Sequence, residues 1–250
     1  MGRLSNVNEN PAVKTIKWKN RKMETVKDEK GKTVKNEDGT PKMKLIRETG
    51  WYYYDKSTET EIQMEMPFNF IWLESATSFS GYNQNKQKGV YSNEVLNLKT
   101  DKMTVRCGED IIAEGIYAKI KDEVKGQGGK FCIPVYAYVP ETEETVRILM
   151  TGSSGSAWMG FHKAKESQTK MISCIGANEK EMATGQTYEE PTFKYVPMDS
   201  SLNDIADEKA TEVSDYFKYI LSQNNAPVPS SISDDDDTPS NDEDMDSTDY

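Results

Sequence analysis

The sequence is poor in the side chains that most often carry catalysis or bind metals. Its 250 residues include one histidine, His162, and three widely separated cysteines, Cys107, Cys132 and Cys174. A single histidine argues against a histidine-rich metal site and against a Ser-His-Asp triad. Separated cysteines in odd number are typical of reduced thiols in the cytosol. We therefore expect no metal, no cofactor, no enzymatic activity and a cytoplasmic location.

Further absences narrow the class of protein. No apolar run is long enough to span a membrane, and the polar start of the chain lacks the apolar core of a secretory signal peptide. The glycine-rich segment 126–130 has neither the spacing of a phosphate-binding loop nor the hydroxyl residue that should follow it. A nucleophile elbow of the Gly-x-Ser-x-Gly type is also missing. These absences favour a binding protein over an enzyme.

Charge, by contrast, is abundant and unevenly distributed. The chain has 31 basic and 42 acidic residues, a formal net charge of −11. Residues 226–250 contain nine acidic side chains and no basic one, whereas residues 1–50 contain thirteen basic and seven acidic side chains. A basic beginning and an acidic end indicate a nucleic-acid partner or a contact between the two ends.

The charge pattern also divides the chain. Residues 226–250 combine like charges with Pro and Ser and are predicted to be a disordered acidic tail. Residues 1–225 are predicted to form a single nucleic-acid-binding domain. Within it, the Lys/Glu/Asp/Gly-rich segment 21–42 is expected to be a long hairpin or a flexible insert. Helical spacing of apolar residues predicts an embedded helix at 111–124 and a C-terminal helix at 202–223.

Short strands around one embedded helix predict a mainly β protein of the β-rich α+β class. Apolar residues alternate over 61–66, and segments of strong β character follow at 130–139 and 145–150. A helix between the third and fourth strands of a small barrel is the arrangement of the OB-fold. We therefore expect an OB-fold-like barrel with inserted hairpins; a β-sandwich with insertions is the alternative.

Basic and aromatic residues alternate in three segments, which is the combination that binds single-stranded nucleic acid. Cationic side chains follow the phosphates and make affinity salt-dependent, and each stacked base contributes about 1–3 kcal/mol. Aromatic residues are also favoured in strands for structural reasons, so some of these rings belong to the core. The predicted DNA contacts are Trp18, Lys19, Lys22, Lys44, Tyr52, Tyr54, Tyr82, Lys86, Lys88 and Tyr91.

The four consecutive aromatics Trp51–Tyr54 show how the two roles separate. Successive side chains of a strand point to opposite faces, so Trp51 and Tyr53 share one face and Tyr52 and Tyr54 the other. We expect one pair to be buried and the other to be free for stacking. Tyr82 and Tyr91 lie in a Lys/Asn/Gln-rich segment that offers little to pack against, so we expect both to be exposed.

The acidic end carries a family resemblance. It contains four consecutive aspartates, a second acidic cluster and a terminal aromatic, and the residues concerned are Asp234, Asp235, Asp236, Asp237, Asp242, Glu243, Asp244, Asp246, Asp249 and Tyr250. This end resembles that of the single-stranded DNA-binding proteins of bacteriophages. The resemblance implies an OB-fold and a tail that competes with DNA for the basic groove and recruits replication proteins.

The terminal residues indicate which class of protein binds the tail. Bacterial members of the family typically finish on an Asp-Ile-Pro-Phe-like sequence, whereas this chain finishes on Asp-Ser-Thr-Asp-Tyr. The resemblance therefore implies a phage polymerase, helicase or primase as the partner of the tail. It also implies protection of single-stranded DNA, without strong sequence preference, during replication or recombination in the host cytoplasm.

Three other functions fit the same features. A β-sandwich structural or accessory phage protein would use the tail only for solubility and would not bind oligonucleotides. A strand-annealing recombination factor would share the DNA surface and also accelerate pairing. A chaperone would bind basic proteins through the tail and ignore DNA. The apolar stripe of the C-terminal helix is compatible with packing within one chain or in a homodimer.

Overall fold

A computed structural model describes residues 9–182 and 184–224. The predicted acidic tail, 226–250, lies outside the described residues. The strands are β1 (Lys14–Lys19), β2 (Lys22–Thr25), β3 (Met43–Arg47), β4 (Gly50–Asp55), β5 (Thr60–Gln63), β6 (Phe68–Ser75), β7 (Ser78–Asn83), β8 (Lys88–Ser92), β9 (Met103–Cys107), β10 (Asp110–Gly115), β11 (Gly129–Val139), β12 (Glu144–Thr151), β13 (Lys170–Glu181) and β14 (Thr187–Pro197). The helices are α1 (Tyr117–Gly126), α2 (Gly152–Phe161), α3 (Ala164–Ser167) and α4 (Asn203–Asn224).

The element content confirms the mainly β, α+β class. The described part of the chain divides into two compact units. Unit 1 contains Ser75–Pro134 and the described residues from Thr211 onward, together with residues 9–10; unit 2 contains Pro11–Glu74 and Val135–Ala210. The described strands do not close into a barrel, so the OB-type barrel is not formed.

Unit 1 is an antiparallel sheet with one face covered by helix. Its strand order is β10-β9-β8-β7-β11, the last being the first part of that long strand. The core face carries alternating apolar residues, and α1 covers it with Ile120 and Val124. Leu221 of α4 packs against the same cluster. An antiparallel sheet covered on one side leaves its other face to water, and that face is the candidate site described below.

Unit 2 is a larger mixed sheet around an aromatic core. β1 pairs in parallel with β12 and antiparallel with β4, which pairs with β5. β6 pairs with β11 and β13, and β13 forms a long hairpin with β14. Ring contacts join residues that are far apart in sequence: Trp51 lies 6.3 Å from Phe193, and Trp158 lies 5.7 Å from Phe193 and 6.2 Å from Phe70, between ring centroids.

The two predicted helices have different outcomes. The C-terminal helix is confirmed as α4, within a residue of the predicted bounds. The predicted helix 111–124 is wrong in its first half, because Asp110–Gly115 forms β10 and α1 begins only at Tyr117. A bulge in β10 shifts the register between Ile111 and Ala113. Among the described helices, none combines the length and apolar character needed to cross a membrane.

The predicted hairpin at 21–42 is a two-stranded ribbon with a folded tip, which we call the arm (Arg21–Arg47). β2 and β3 form a separate two-stranded sheet that supports it. The tip consists of two loops closed by the bridges Lys27↔Thr33 and Lys35↔Pro41. Almost every residue of the arm, in the strands and in the tip, is exposed to solvent.

An eight-residue tandem repeat explains the tip. Residues 26–33 read Val-Lys-Asp-Glu-Lys-Gly-Lys-Thr, and residues 34–41 read Val-Lys-Asn-Glu-Asp-Gly-Thr-Pro. Each loop turns at the glycine in the sixth position, and Gly31 and Gly39 have φ of 74° and 83°, a conformation that glycine adopts without steric cost. Backbone hydrogen bonds of 2.8 Å link Val26, Val34 and Lys42 in a closed ring, which fixes both loops on the ribbon.

Candidate nucleic-acid interface

The residues predicted to contact DNA fall into both units. Trp18, Lys19, Lys22, Lys44, Tyr52 and Tyr54 belong to unit 2, and Tyr82, Lys86, Lys88 and Tyr91 belong to unit 1. The structure groups the second set on neighbouring strands, β7 and β8 and the turn between them. The first set is spread over β1 to β4, and its members are in different environments.

Two of the predicted stacking residues in unit 2 are structural. Tyr52 is only 7% exposed and donates its hydroxyl hydrogen bond to the Glu48 carbonyl at 2.8 Å; burial raises the pKa of this phenol. Trp18 donates its indole N–H to the Glu189 carbonyl at 3.0 Å and packs edge-on against Trp51, with ring centroids 5.2 Å apart. Tyr52 and Trp18 therefore leave the set of proposed contacts.

The expected separation of the aromatic run fails for a physical reason. β4 lies between β1 and β5, and both of its faces are covered near its start, so Trp51 and Tyr52 are buried on opposite faces. Only toward the end of the strand does exposure begin, and Tyr54 is 48% exposed. Alternation predicts which residues share a face, but it does not predict whether a face is covered.

The predicted cations of unit 2 also differ in whether they are free to bind phosphate. Lys19 is mostly buried and forms an ion pair with Glu61. Lys22 lies 3.5 Å from a carboxylate oxygen of Glu24. Lys44 is exposed on β3 and belongs to the arm.

The outer face of unit 1 carries a continuous row of residues across five strands. Cross-strand pairs run from Lys130 on β11 to Ser80 on β7, then to Tyr91 on β8, Arg106 on β9 and Ile111 on β10. We call this row the platform. Strands are about 4.8 Å apart, so the platform spans about 19 Å. Tyr91 is 49% exposed and Ile111 53% exposed, so the middle and one end of the row are open to solvent.

Hydrogen bonds hold the platform side chains in fixed positions. The Tyr91 hydroxyl donates to the Gly108 carbonyl at 2.8 Å, and Arg106 Nη1 donates to the Glu109 carbonyl at 3.0 Å. The alkyl chain of Lys88 packs over the same turn, because a Cβ on Gly108 would lie 2.7 Å from Lys88 Cδ. An aromatic ring held at its edge presents its face for stacking with little loss of conformational entropy.

Two residues of the platform, Arg106 and Lys130, are cations, and Lys88 lies nearby at the start of β8. Within the part of the chain that the structure describes, no carboxylate forms an ion pair with Lys88, Arg106 or Lys130. Lys86, which the sequence also predicted, lies 3.9 Å from a carboxylate oxygen of Asp110 and is partly neutralised. Tyr82 is half-buried opposite Gly89 on the next row. The platform therefore combines one exposed ring with two cations, Arg106 and Lys130.

Four of the five platform residues, Lys130, Ser80, Arg106 and Ile111, were not among the predicted contacts. Lys130 and its partner Ser80 are far apart in the chain, whereas Arg106 and Ile111 face each other across the β9–β10 hairpin. Alternation over Met103–Cys107 places Arg106 opposite to the buried Val105, which indicates an outward position. Its pairing with Tyr91 becomes evident only from the register of β8 and β9.

The other side chains that could act as nucleophiles or metal ligands do not form a site. Burial raises the pKa of the Cys174 thiol, which accepts the Trp51 indole N–H at 3.2 Å and lies in the core. Over residues 9–182 and 184–224, no group of three or more His, Cys, Asp or Glu side chains is arranged to hold a metal ion.

Comparison with protein-family models, curated proteins and solved structures finds no match to this chain.

Proposed function

We propose that this protein binds single-stranded DNA without strong sequence preference, with the platform of unit 1 as its stacking and phosphate-binding surface. The observation that carries the proposal is the row from Lys130 through Tyr91 to Arg106, in which an exposed, hydrogen-bonded ring lies between two cations that have no ion-pair partner among the described residues. Stacking tolerates every base, because every base has an aromatic face. Replication and recombination expose such DNA, and we place the protein there.

The proposal extends to the acidic tail. The nine carboxylates of the tail form a polyanion that competes with DNA for the platform. DNA binding then releases the tail, which recruits replication proteins. Tethering raises the effective concentration of such a competitor to the millimolar range. The charge asymmetry of the sequence supports this extension.

The test is a fluorescence-polarisation titration of labelled oligo(dT) with the full chain and with Tyr91→Ala. Loss of stacking on one base is expected to weaken affinity by about 1–3 kcal/mol. Tyr54→Ala is the matched comparison, because Tyr54 is equally exposed and was also predicted to stack, but it lies in unit 2, outside the platform. Its affinity should equal that of the unchanged protein.

Charge and stacking are separated by a second variant. Arg106→Gln should weaken binding and reduce the salt dependence of the affinity, since one phosphate contact contributes about 0.7 to the slope for single strands. Tyr91→Ala should leave that slope unchanged. If the full chain does not bind oligo(dT), or if both tyrosine variants bind as the full chain does, the platform is not a DNA site. The accessory-protein alternative then takes precedence.

A further inference from the structure

The arm is a second charged surface, and it belongs to unit 2. Between Arg21 and Arg47 the sequence has nine basic and five acidic side chains. β2 and β3 pair only with each other, and the side chains of the ribbon and tip are nearly all exposed. The arm therefore presents its charge to solvent along its whole length.

The acidic and basic residues of the tip have different roles. The Asp28 carboxylate accepts the backbone N–H groups of Lys30 and Lys32 at 2.9 and 2.8 Å. The Asp38 carboxylate accepts the hydroxyl and the N–H of Thr40 at 2.6 and 2.9 Å, and these bonds lower the pKa of Asp38. Two carboxylates are thus used to shape the loops.

The tip lysines have no such internal role. Over the described residues, no carboxylate lies within the 4.0 Å ion-pair distance of five of them, Lys27, Lys30, Lys32, Lys35 and Lys42. By contrast, Lys14, Lys102 and Lys218 elsewhere in the chain each lie 2.7–2.8 Å from a carboxylate. The 17-residue tip has five lysines beside four carboxylates, and two of these carboxylates, Asp28 and Asp38, are hydrogen-bonded within the loops.

The shape of the arm fits one polyanion better than others. A two-stranded β-ribbon fits the major groove of B-form DNA, which is about 12 Å wide. The major groove of A-form RNA is too narrow for side chains to read. The closed ring of hydrogen bonds joining Val26, Val34 and Lys42 keeps the tip compact, so its lysines have a fixed spacing when they meet phosphates.

We propose that the arm binds duplex DNA, with the ribbon in the major groove and the tip lysines on the flanking phosphates. This surface is distinct from the platform, and the proposal stands or falls independently of single-strand binding. A protein with both surfaces would bind where single-stranded and duplex DNA meet.

One side of the ribbon suggests a competing partner. Met23 is paired with Leu45, and Met43 follows on the same face of β3; all three are exposed. Exposed apolar side chains among lysines are also typical of segments that bind anionic membranes. Three residues make a small apolar surface, whereas the arm as a whole has nine basic and five acidic side chains, so we favour DNA.

The experiment uses the full chain with Lys27→Gln, Lys32→Gln, Lys35→Gln and Lys42→Gln introduced together. The matched control replaces Lys99, Lys119, Lys121 and Lys125 by Gln, which gives the same change in net charge on exposed residues of unit 1. Binding of a blunt-ended DNA duplex, the corresponding RNA duplex and phosphatidylserine-containing vesicles is measured at several salt concentrations. Circular dichroism and thermal unfolding should be unchanged in both variants, because the replaced side chains are exposed.

The expected result is that the full chain and the control bind duplex DNA equally, whereas the arm variant binds on the order of tenfold more weakly at low salt. The salt slope of the arm variant should be shallower by about 0.9 for each phosphate that the tip no longer neutralises. The RNA duplex should bind more weakly than the DNA duplex. Tyr91→Ala should reduce oligo(dT) binding and leave duplex binding intact.

Several outcomes overturn the proposal. These are no duplex binding by the full chain, equal weakening in the arm variant and the control, and equal affinity for DNA and RNA duplexes. Vesicle binding that depends on the tip lysines, with duplex binding unchanged, assigns the arm to membranes. If Tyr91→Ala leaves oligo(dT) binding unchanged while the arm variant no longer binds the duplex, the platform proposal fails and the arm proposal stands.

Discussion

At the scale of the residue, the surroundings of His162 predict that the stability of unit 2 depends on pH. Its ring stacks on Trp158, with centroids 4.5 Å apart and planes 18° from parallel, and lies 5.0 Å from Trp72. Its Nε2 atom is buried without a hydrogen-bond partner. Burial disfavours the charged imidazolium and lowers the pKa of His162 below the ordinary 6.5.

The sign of the effect follows from proton binding. Between the lowered pKa of the folded protein and about 6.5, the unfolded chain binds more protons than the folded chain, so stability falls as pH is lowered through this window. We predict that His162→Phe, which keeps a stacked ring but cannot titrate, makes the free energy of unfolding less dependent on pH between about 7.5 and 5.5. Denaturant unfolding at several pH values measures this difference. Parallel pH profiles for the two proteins would show that His162 is protonated equally when folded and unfolded.

Individual residues also show what the sequence can reveal about the candidate site. Tyr91 was expected to be exposed because its segment is polar, and it is exposed, although it lies on a strand rather than in a loop. Tyr52 was expected to be available because basic residues precede the aromatic run and alternation places it opposite Trp51. It is buried and hydrogen-bonded to the Glu48 carbonyl, and alternation does not tell which faces of a strand are covered.

At the scale of the element, a close approach between β7 and the turn after α1 sets the geometry of the platform. A Cβ on Gly81 would lie 2.1 Å from the Gly128 carbonyl oxygen, and a Cβ on Gly128 would lie 2.2 Å from the Tyr82 carbonyl oxygen. Gly128 has a φ of 87°, which disfavours other residues as well. The turn can therefore reach β7 only because both positions lack a side chain.

We predict that Gly81→Ala lowers the free energy of unfolding of unit 1 by about 1–3 kcal/mol, the usual cost of overpacking. The carbonyl that opposes the added methyl is backbone and cannot rotate away. Gly126→Ala is the control, since a Cβ there meets no atom within 4 Å, and replacing this helical glycine should leave stability unchanged or raise it by up to about 1 kcal/mol. Equilibrium unfolding in urea compares the two variants. Equal stabilities would mean that β7 and the turn separate without cost.

The same elements explain which parts of the fold were predictable. The helix was predicted to end at residue 124, just before the glycine-rich segment 126–130, and α1 does end close by, at Gly126. Its start was misplaced because Ile112, Ile116 and Ile120 are four residues apart, as on one face of a helix, although Ile112 lies on β10. The tandem repeat of the tip was present in the sequence, and a search for internal repeats would have indicated its two similar loops.

At the scale of the whole molecule, the folded topology depends on pairings between distant segments. β1 pairs in parallel with β12, more than a hundred residues later, and β6 lies between strands that follow it in the chain. Short-range patterns specify strands but not their order. The class was therefore predictable, whereas the open sheets and the two units were not.

The distribution of charge over the whole molecule leads to the last prediction. The protein is acidic overall, at −11, yet residues 226–250 alone contribute nine negative charges. A tethered competitor at about 1 mM that binds the DNA surface with a dissociation constant of about 0.1 mM, a typical nonspecific value, reduces the apparent affinity for DNA roughly tenfold. Removing the charge of the tail should therefore tighten oligo(dT) binding by about that factor at low salt.

The first variant removes the charge of the tail but keeps its length: the eight aspartates of the tail are replaced by Asn and Glu243 by Gln. A second variant that ends at Asn225 separates charge from chain length. Both should bind oligo(dT) more tightly than the full chain at low salt and converge with it at high salt, because screening weakens the tail and the DNA contacts alike. Equal affinities at low salt would leave the tail without a competing role. Tighter binding by the truncated variant alone would indicate that the tail obstructs DNA by its volume, since the neutral tail would then still block the surface.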